Sequence, residues 1–265
     1  MVRSALEEQA EMKGAQTVTL GDLREARARF QTTVSGKSEN DIGHMMPEDN
    51  RPGVSMVIVE ACHNEMSACP NPLIQTSEWK HSLEQWAREN NISERLRTKV
   101  NSDRIRYHNR FRISISGCPN SCSRPQIADI GLAGSVCPEF VPAECSSCGS
   151  CAQVCPDSAI WFDGDVPRFA LAECQGCKAC SSICPQECIY LSEPSVRITV
   201  GGKLGRHPHL GEIVGEATEP KGAVAIIDSI VNDYIEWAEP GERFADYWLR
   251  QGRTRFAGNG DGHRN

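Results

Sequence analysis

The side chains best placed to do chemistry are thiols. Cys145, Cys148, Cys151 and Cys155 run into Pro156, and Cys174, Cys177, Cys180 and Cys184 run into Pro185, so one C-x2-C-x2-C-x3-C-P pattern occurs twice back to back. Three thiolates this close along a loop can cap three corners of an iron–sulfur cube, and the fourth corner has to be reached from elsewhere in the chain.

The same run marks bacterial two-cluster ferredoxins, where the fourth cysteine of each run serves the other cluster. On that pattern Cys145, Cys148, Cys151 and Cys184 hold one [4Fe–4S] cluster, and Cys174, Cys177, Cys180 and Cys155 hold the other. Zinc sites also use CxxC pairs, but seldom this run in tandem. A disulfide framework suits short secreted domains rather than a longer chain with clustered cysteines.

These motifs need a scaffold, and 265 residues suffice for one large domain or two small ones. A 39% hydrophobic content beside 24% charged residues is that of a folding chain. The net charge of −7 leaves no global basic field, which argues against nucleic acid as the main partner. The opening residues, MVRSALEEQAEMKG, lack the apolar run of a secretory signal, and no stretch reaches the length of a membrane span. Fourteen cysteines in such a chain point to a reducing cytoplasm and to metal chemistry, and oxygen-labile clusters suit an anaerobe.

The pattern predicts a strand at Thr17–Leu20, a helix from Gly21 onward, and a loop or linker over residues 35–53. Ser55–Ala61 is β-type and ends at Cys62, with Cys69-Pro70 beyond. A helix is expected over Ser77–Glu89, with Trp79, Leu83 and Trp86 forming a core stripe. The strand Phe111–Ser116 leads into Gly117-Cys118-Pro-Asn-Ser-Cys122, and alternation sets Arg110 and Arg112 opposite Phe111 and Ile113. By spacing alone, those two cations either hold an anion or simply meet water. Further strands are expected at Ile127–Val136 and Ser195–Val200. The latter ends in a glycine-rich turn, Gly201 to His209, where amides with Lys203 and Arg206 are suited to a carboxylate or phosphate. A helix over 223–238, a short one around Arg243–Arg250 and a disordered tail complete the chain.

Six cysteines lie outside the tandem runs. Cys62, Cys69, Cys118 and Cys122 form two loop pairs beside strand ends and suffice for another cube, whereas Cys137 and Cys188 fit no pattern and are expected to be small buried residues.

Cys62-x6-Cys69, then Ser116-Gly-Cys-Pro-Asn-Ser-Cys122, then Ala128-Asp-Ile-Gly131, resembles the siroheme and [4Fe–4S] motif of sulfite and nitrite reductases. With the tandem runs straight after it and a return strand ending in Gly201-Gly-Lys203, the order is most similar to the siroheme-bearing C subunits of anaerobic sulfite reductases. The likeness spans roughly Val57 to Trp237. It implies an α+β fold, a sulfite-reductase-type siroheme/[4Fe–4S] domain over 55–139 and 193–250 with an inserted two-cluster ferredoxin domain over 140–192. Residues 1–54 are then a shortened N-terminal segment with linker, and 251–265 the disordered tail.

The resemblance also implies site roles. Cys122 carries a thiolate shared between the third cube and the siroheme iron. Arg110 and Arg112 stand where the family has two lysines flanking a phenylalanine that bind sulfite. Arg124, Lys203 and Arg206 are the candidates to meet the siroheme carboxylates. The implied enzyme reduces sulfite to sulfide with electrons relayed through the two ferredoxin clusters from an electron-donor protein. The alternatives are nitrite as the oxyanion, or an electron-transfer subunit without turnover of its own. The chain departs from the family in its short N-terminal half, in Val57-Ile-Val-Glu-Ala61 where an arginine–asparagine pair is usual, and in a first cysteine pair one residue wider. A homodimer or a subunit of a redox complex follows as the expected assembly.

Overall fold

The computed structural model describes residues 47–63 and 69–259. The strand expected at Thr17–Leu20 and the helix from Gly21 lie outside the described residues. The chain divides into two units between Pro47 and Glu48, and the described residues belong almost entirely to the second. That unit starts inside the expected linker, because β1 (Glu48–Asp49) pairs antiparallel with β3 (Arg104–Ile105).

A five-stranded mixed sheet carries the rest. Its order is β11 (Glu212–Ala217), β10 (Ser195–Val200), β5 (Ile130–Ser135), β4 (Phe111–Ser116) and β2 (Val57–Ala61). β2, β4 and β5 run parallel, and β10 and β11 are antiparallel to their neighbours. Parallel neighbours need a long crossover. Between β2 and β4 that crossover is α1 (Thr76–Glu89) and α2 (Ile92–Arg97).

The connection from β5 to β10 is longer and carries structure of its own. There β6 (Pro138–Phe140) pairs with β9 (Ile189–Leu191), β7 (Ile160–Asp163) pairs with β8 (Val166–Phe169), and two short helices, α3 (Ser150–Val154) and α4 (Ala179–Ile183), each carry the third cysteine of a run.

Alternation gives the main sheet two unlike faces. Phe111, Ile113 and Ile115 of β4 lie in register with Val57, Val59 and Ala61 of β2, while Ile130 and Leu132 of β5 continue the apolar face to Val200, Ile198 and Val196 of β10. This face packs on α1 and on α5 (Pro220–Trp237), burying Trp79, Leu83, Trp86, Ile227, Ile230 and Val231. The expected tryptophan stripe is therefore core, and the Trp86 indole also donates to Asp228 of α5 at 2.9 Å. On the opposite face Arg112, Ser114 and Ser116 stand beside Glu60, and beside the small residues Gly131 and Ala133.

The 3-10 turn Pro125–Ile127 lies over that second face and displaces the start of the strand expected from Ile127 to Ile130. Beyond α5, α6 (Phe244–Tyr247) and a π-helical turn Trp248–Gly252 continue into α7 (Arg253–Asn259). Residues 253–259 are thus helical where the sequence suggests a disordered tail. The physical reason is packing: Phe256 lies against the core and 5.9 Å from Trp248, Arg253 pairs with Glu212, and Arg255 pairs with Asp233 at 2.7 Å and stacks over Trp237.

The close seat of the 3-10 turn rests on Gly131, where an added methyl would lie well inside van der Waals distance of the Pro125 carbonyl oxygen and the Thr199 hydroxyl. Gly131→Ala is expected to cost about 1–3 kcal/mol by overpacking, measured as a lower urea midpoint with an unchanged slope.

Candidate functional site: three groups of cysteines

Parallel strands end on the same side of a sheet, and ligand sites gather at those carboxyl ends. Cys62 follows β2 directly, and Cys118 follows β4 after Gly117. The Cys62 amide donates to the Ile115 carbonyl at 2.9 Å, and the Gly117 amide donates to the Cys62 sulfur at 3.2 Å, which pins the two loops together. The Leu73 amide, just beyond Cys69, also reaches the Gly117 carbonyl at 2.8 Å. Cys118 is thereby brought among Cys62, Cys69 and Cys122. Burial raises its thiol pKa, and the charges of those three cysteines raise it further. Ser114 and Ser116 hold the loop from below through Ser123, at 2.7 Å each, and Asn120 donates to the Cys122 sulfur at 3.1 Å.

The other eight cysteines occupy the stretch between β5 and β10, and its two halves repeat one backbone path. Positive φ occurs at Ser147, Gly149 and Ser158 in the first and at Gly176, Lys178 and Glu187 in the second, at matching offsets from Cys145 and Cys174. α3 follows Gly149 in one half as α4 follows Lys178 in the other.

Two cavities follow from that repeat. One is lined by Cys145, Cys148, Cys151 and Cys184, closed by Phe140 and Phe162, with Cys188 in its wall. The other is lined by Cys155, Cys174, Cys177 and Cys180, closed by Val136 and Phe169. Each cavity thus receives its fourth cysteine from the opposite run. The sulfurs surround a space instead of converging, and no group of three or more His, Cys, Asp or Glu side chains among the described residues closes on a single ion. Burial pushes the Cys180 thiol up to about 11 and is the first cause of raised values at Cys151 and Cys174. Cys188 is buried 3.4 Å from the Cys184 sulfur, as expected of a small packing residue, but Cys137 is exposed because it opens the short β6 edge outside both cavities.

A cleft separates the second cavity from the β4 loop, with Cys118, Pro119 and Asn120 on one bank and Cys177, Lys178 and Ala179 on the other. The group completed by Cys155 is therefore the one that faces Cys118.

The candidate cations are dispersed. Arg112 pairs with Glu60 at 3.2 Å and lies over the Tyr107 ring, while its backbone amide donates to Asp129 at 2.8 Å. Arg110 is buried and paired with Glu48, at a cavity shared with His108, Asp129 and Arg243. Nε of both arginines is buried without a hydrogen-bond partner among the described residues. Arg124 is exposed in the left-handed region, φ 60°, directly after the cysteine loop. The ammonium of Lys203 is tied to Asp246, and Arg206 is exposed at the tip of the turn closed by Lys203 and His209. The glycines of that turn have a packing reason: a Cβ at Gly201 would meet the Trp248 ring at 2.5 Å, and one at Gly202 would collide with the Gln126 and Ala128 carbonyls. Glu48, Glu60 and Asp129 are the partners that sequence reasoning missed: Asp129 lies inside Ala128-Asp-Ile-Gly131 and Glu60 inside Val57–Ala61, but no spacing there marks either as the partner of an arginine.

Residues 55–259 match the nitrite and sulphite reductase 4Fe-4S domain. The chain belongs to that family. It is 42% identical over 149 residues to the coenzyme F420-dependent sulfite reductase of Methanocaldococcus jannaschii, covering 56% of this chain and 24% of that one. It is also 35% identical over 54 residues to the C subunit of the anaerobic sulfite reductase of Salmonella typhimurium, covering 20% of this chain and 15% of that one. The chain therefore spans about a quarter or less of these two relatives. The fold is shared with dissimilatory sulfite reductase I, at a TM-score of 0.52 and 15% identity over 80% of this chain and 52% of that one. Among the described residues no helix is long and apolar enough to cross a membrane.

Asp129 links the sheet to these cations and gives a pH test. Burial raises its pKa to about 6, against the lowering effect of the Arg112 amide and of the Arg243 and Arg112 charges. A carboxyl whose folded pKa exceeds its unfolded value binds more protons when folded, so its contribution to stability falls as pH rises from about 4 to about 6. Between pH 5 and 7 the native chain is expected to lose about 1 kcal/mol that Asp129→Asn does not lose, read from urea unfolding of the two proteins in parallel.

Proposed function

We propose that this chain is a siroheme-dependent oxidoreductase that reduces sulfite to sulfide, with electrons passing through two ferredoxin-type [4Fe–4S] clusters held in an inserted domain over 140–192. The observation that carries the reading is the gathering of twelve cysteines into three groups of four, one of them at the carboxyl ends of the parallel strands in the family's own domain. Sulfurs spread around a cavity suit a cube, in which each of four irons takes one thiolate. A tetrahedral zinc would draw its four sulfurs to about 3.8 Å from one another, given bonds of about 2.3 Å.

Under this reading Cys145, Cys148, Cys151 and Cys184 hold one cluster, Cys155, Cys174, Cys177 and Cys180 a second, and Cys62, Cys69, Cys118 and Cys122 a third. The residues present also suit siroheme, whose many carboxylates call for cations: Arg124 follows the Cys118–Cys122 loop and reaches the Tyr107 surroundings that Arg112 shares, and Lys203 and Arg206 lie on the glycine turn. Siroheme, when bound, supplies the iron at which a sulfur or nitrogen oxyanion is held and reduced. The chain's own residues bind and orient. Nε of Arg110 and of Arg112 keeps one donor each for an anion, and a guanidinium fork fixes an oxyanion more rigidly than the lysines it replaces. Asn120 donates to the Cys122 sulfur and would steady that thiolate.

A second reading is an electron-transfer subunit of a larger redox complex, without turnover of its own. What favours it is that Arg110 and Arg112 are already paired with Glu48 and Glu60. Nitrite as substrate belongs with the first reading, since the same cations suit either oxyanion.

Three measurements test the first reading. Anaerobic reconstitution is expected to reach about twelve cluster irons with matching acid-labile sulfide per chain, and a plateau near eight would remove the third cube. The same sample with siroheme should show a Soret band and a red-region band. Cys122→Ser is expected to abolish magnetic coupling between haem and cube while two ferredoxin-type signals persist in electron paramagnetic resonance. Loss of every cluster signal together would mean that the ligand groups are wrong.

A further inference from the structure

The stretch 138–191 holds seven carboxylates against two cations, Arg168 and Lys178, and so carries five of the chain's seven net negative charges. Its β7–β8 hairpin is two-faced. Phe162 and Pro167 line the cavity of Cys145, Cys148, Cys151 and Cys184, whereas Trp161 opposite Arg168, and Asp163 opposite Val166, are exposed on the outer face. Trp161 is 51% exposed and Val166 37%. The hairpin tip is fastened to the cysteine loop, because the Ser147 hydroxyl donates to the Asp165 carbonyl. Across the same loop Tyr190, 50% exposed, donates to Glu144, the residue before Cys145.

On this side the wall of the cavity is one hairpin thick, and its outer surface combines Trp161 and Val166 with Asp163, Asp165 and Arg168. Asp163 pairs with Arg168 at 3.2 Å, so those two charges offset each other, and the negative field of the face comes from Asp165 and from the surplus of five negative charges over 138–191. An exposed aromatic residue on a stretch with a surplus of acidic charge suits a protein partner of the opposite sign. The other cavity faces Cys118 across the cleft and so looks inward. Electron exchange falls steeply with distance, which makes the thin outer wall the place where an external partner must come.

We propose that the hairpin face formed by Trp161, Asp163, Asp165 and Val166 docks a basic one-electron redox protein, which exchanges electrons with the group held by Cys145, Cys148, Cys151 and Cys184. This rests on the cluster reading above. Carboxylates steer the partner in, and Trp161 supplies the contact that closes on it.

Ferricytochrome c, a basic haem protein, serves as the probe. The chain is reconstituted anaerobically with iron and sulfide, reduced with dithionite, desalted and mixed with the probe in stopped flow. One electron then leaves a reduced cluster, and one ferric haem becomes ferrous. At about 20 mM salt the double variant Asp163→Lys/Asp165→Lys is expected to lower the second-order rate constant by about tenfold or more, with the difference closing by about 500 mM as screening takes over. The control Glu78→Lys/Glu89→Lys makes the same charge change on α1 and should stay within about twofold of the native chain on the same steering argument. Trp161→Ala should slow the reaction several-fold at both salt concentrations. Equal rates for the two double variants at low salt, with iron and sulfide contents unchanged, would overturn the docking face alone. Failure of the loaded native chain to retain iron, or to give a cluster signal on reduction, would instead bring down the cluster reading and this proposal with it.

Discussion

The parallel pairing of β2 with β4 is the constraint on which the site depends. Because both strands end on the same side, the loops after Ala61 and Ser116 must lie next to each other, and two cysteine pairs far apart in sequence become one group. The same pairing sets the faces. Phe111, Ile113 and Ile115 go to the helices, which leaves Arg112, Ser114 and Ser116 on the side where the 3-10 turn and the cysteine loop lie. A shift of one residue in that register would exchange the core for the site.

The polar face is organised by groups that restrain one another. Asp129 takes the Arg112 amide, Glu60 takes the Arg112 guanidinium and the Tyr107 hydroxyl, and Glu48 takes Arg110. Basic side chains that a motif places in one short strand thus end in different surroundings. Their positive charge is already met by carboxylates that hold the guanidinium forks.

What the sequence makes legible follows from period and spacing. The strands Phe111–Ser116 and Ser195–Val200 lie where alternation puts them, and the Trp79, Leu83 and Trp86 stripe is buried as a 3.6-residue period requires. The exchange of Cys155 and Cys184 between the two runs is readable only because the run is duplicated. The remainder depends on contacts distant in sequence. The pairing of Glu48 with Arg110 joins residues 62 apart, and the helical turn after Gly252 is held by Phe256 on the core and by Glu212 and Asp233 from other elements. Local composition, rich in Gly and Arg there, carries no trace of those partners. Cys137 is exposed for a similar reason, since nothing in its neighbours announces that β6 is only three residues long.

Because Cys155 and Cys184 cross between the two cavities, each half of the repeat builds three quarters of its own cavity and borrows the last corner from its twin. Either half taken alone would leave its own cavity one corner short and would strip a corner from the other, so neither is a part that can be removed by itself. The duplication is held in place by a dependence that runs both ways.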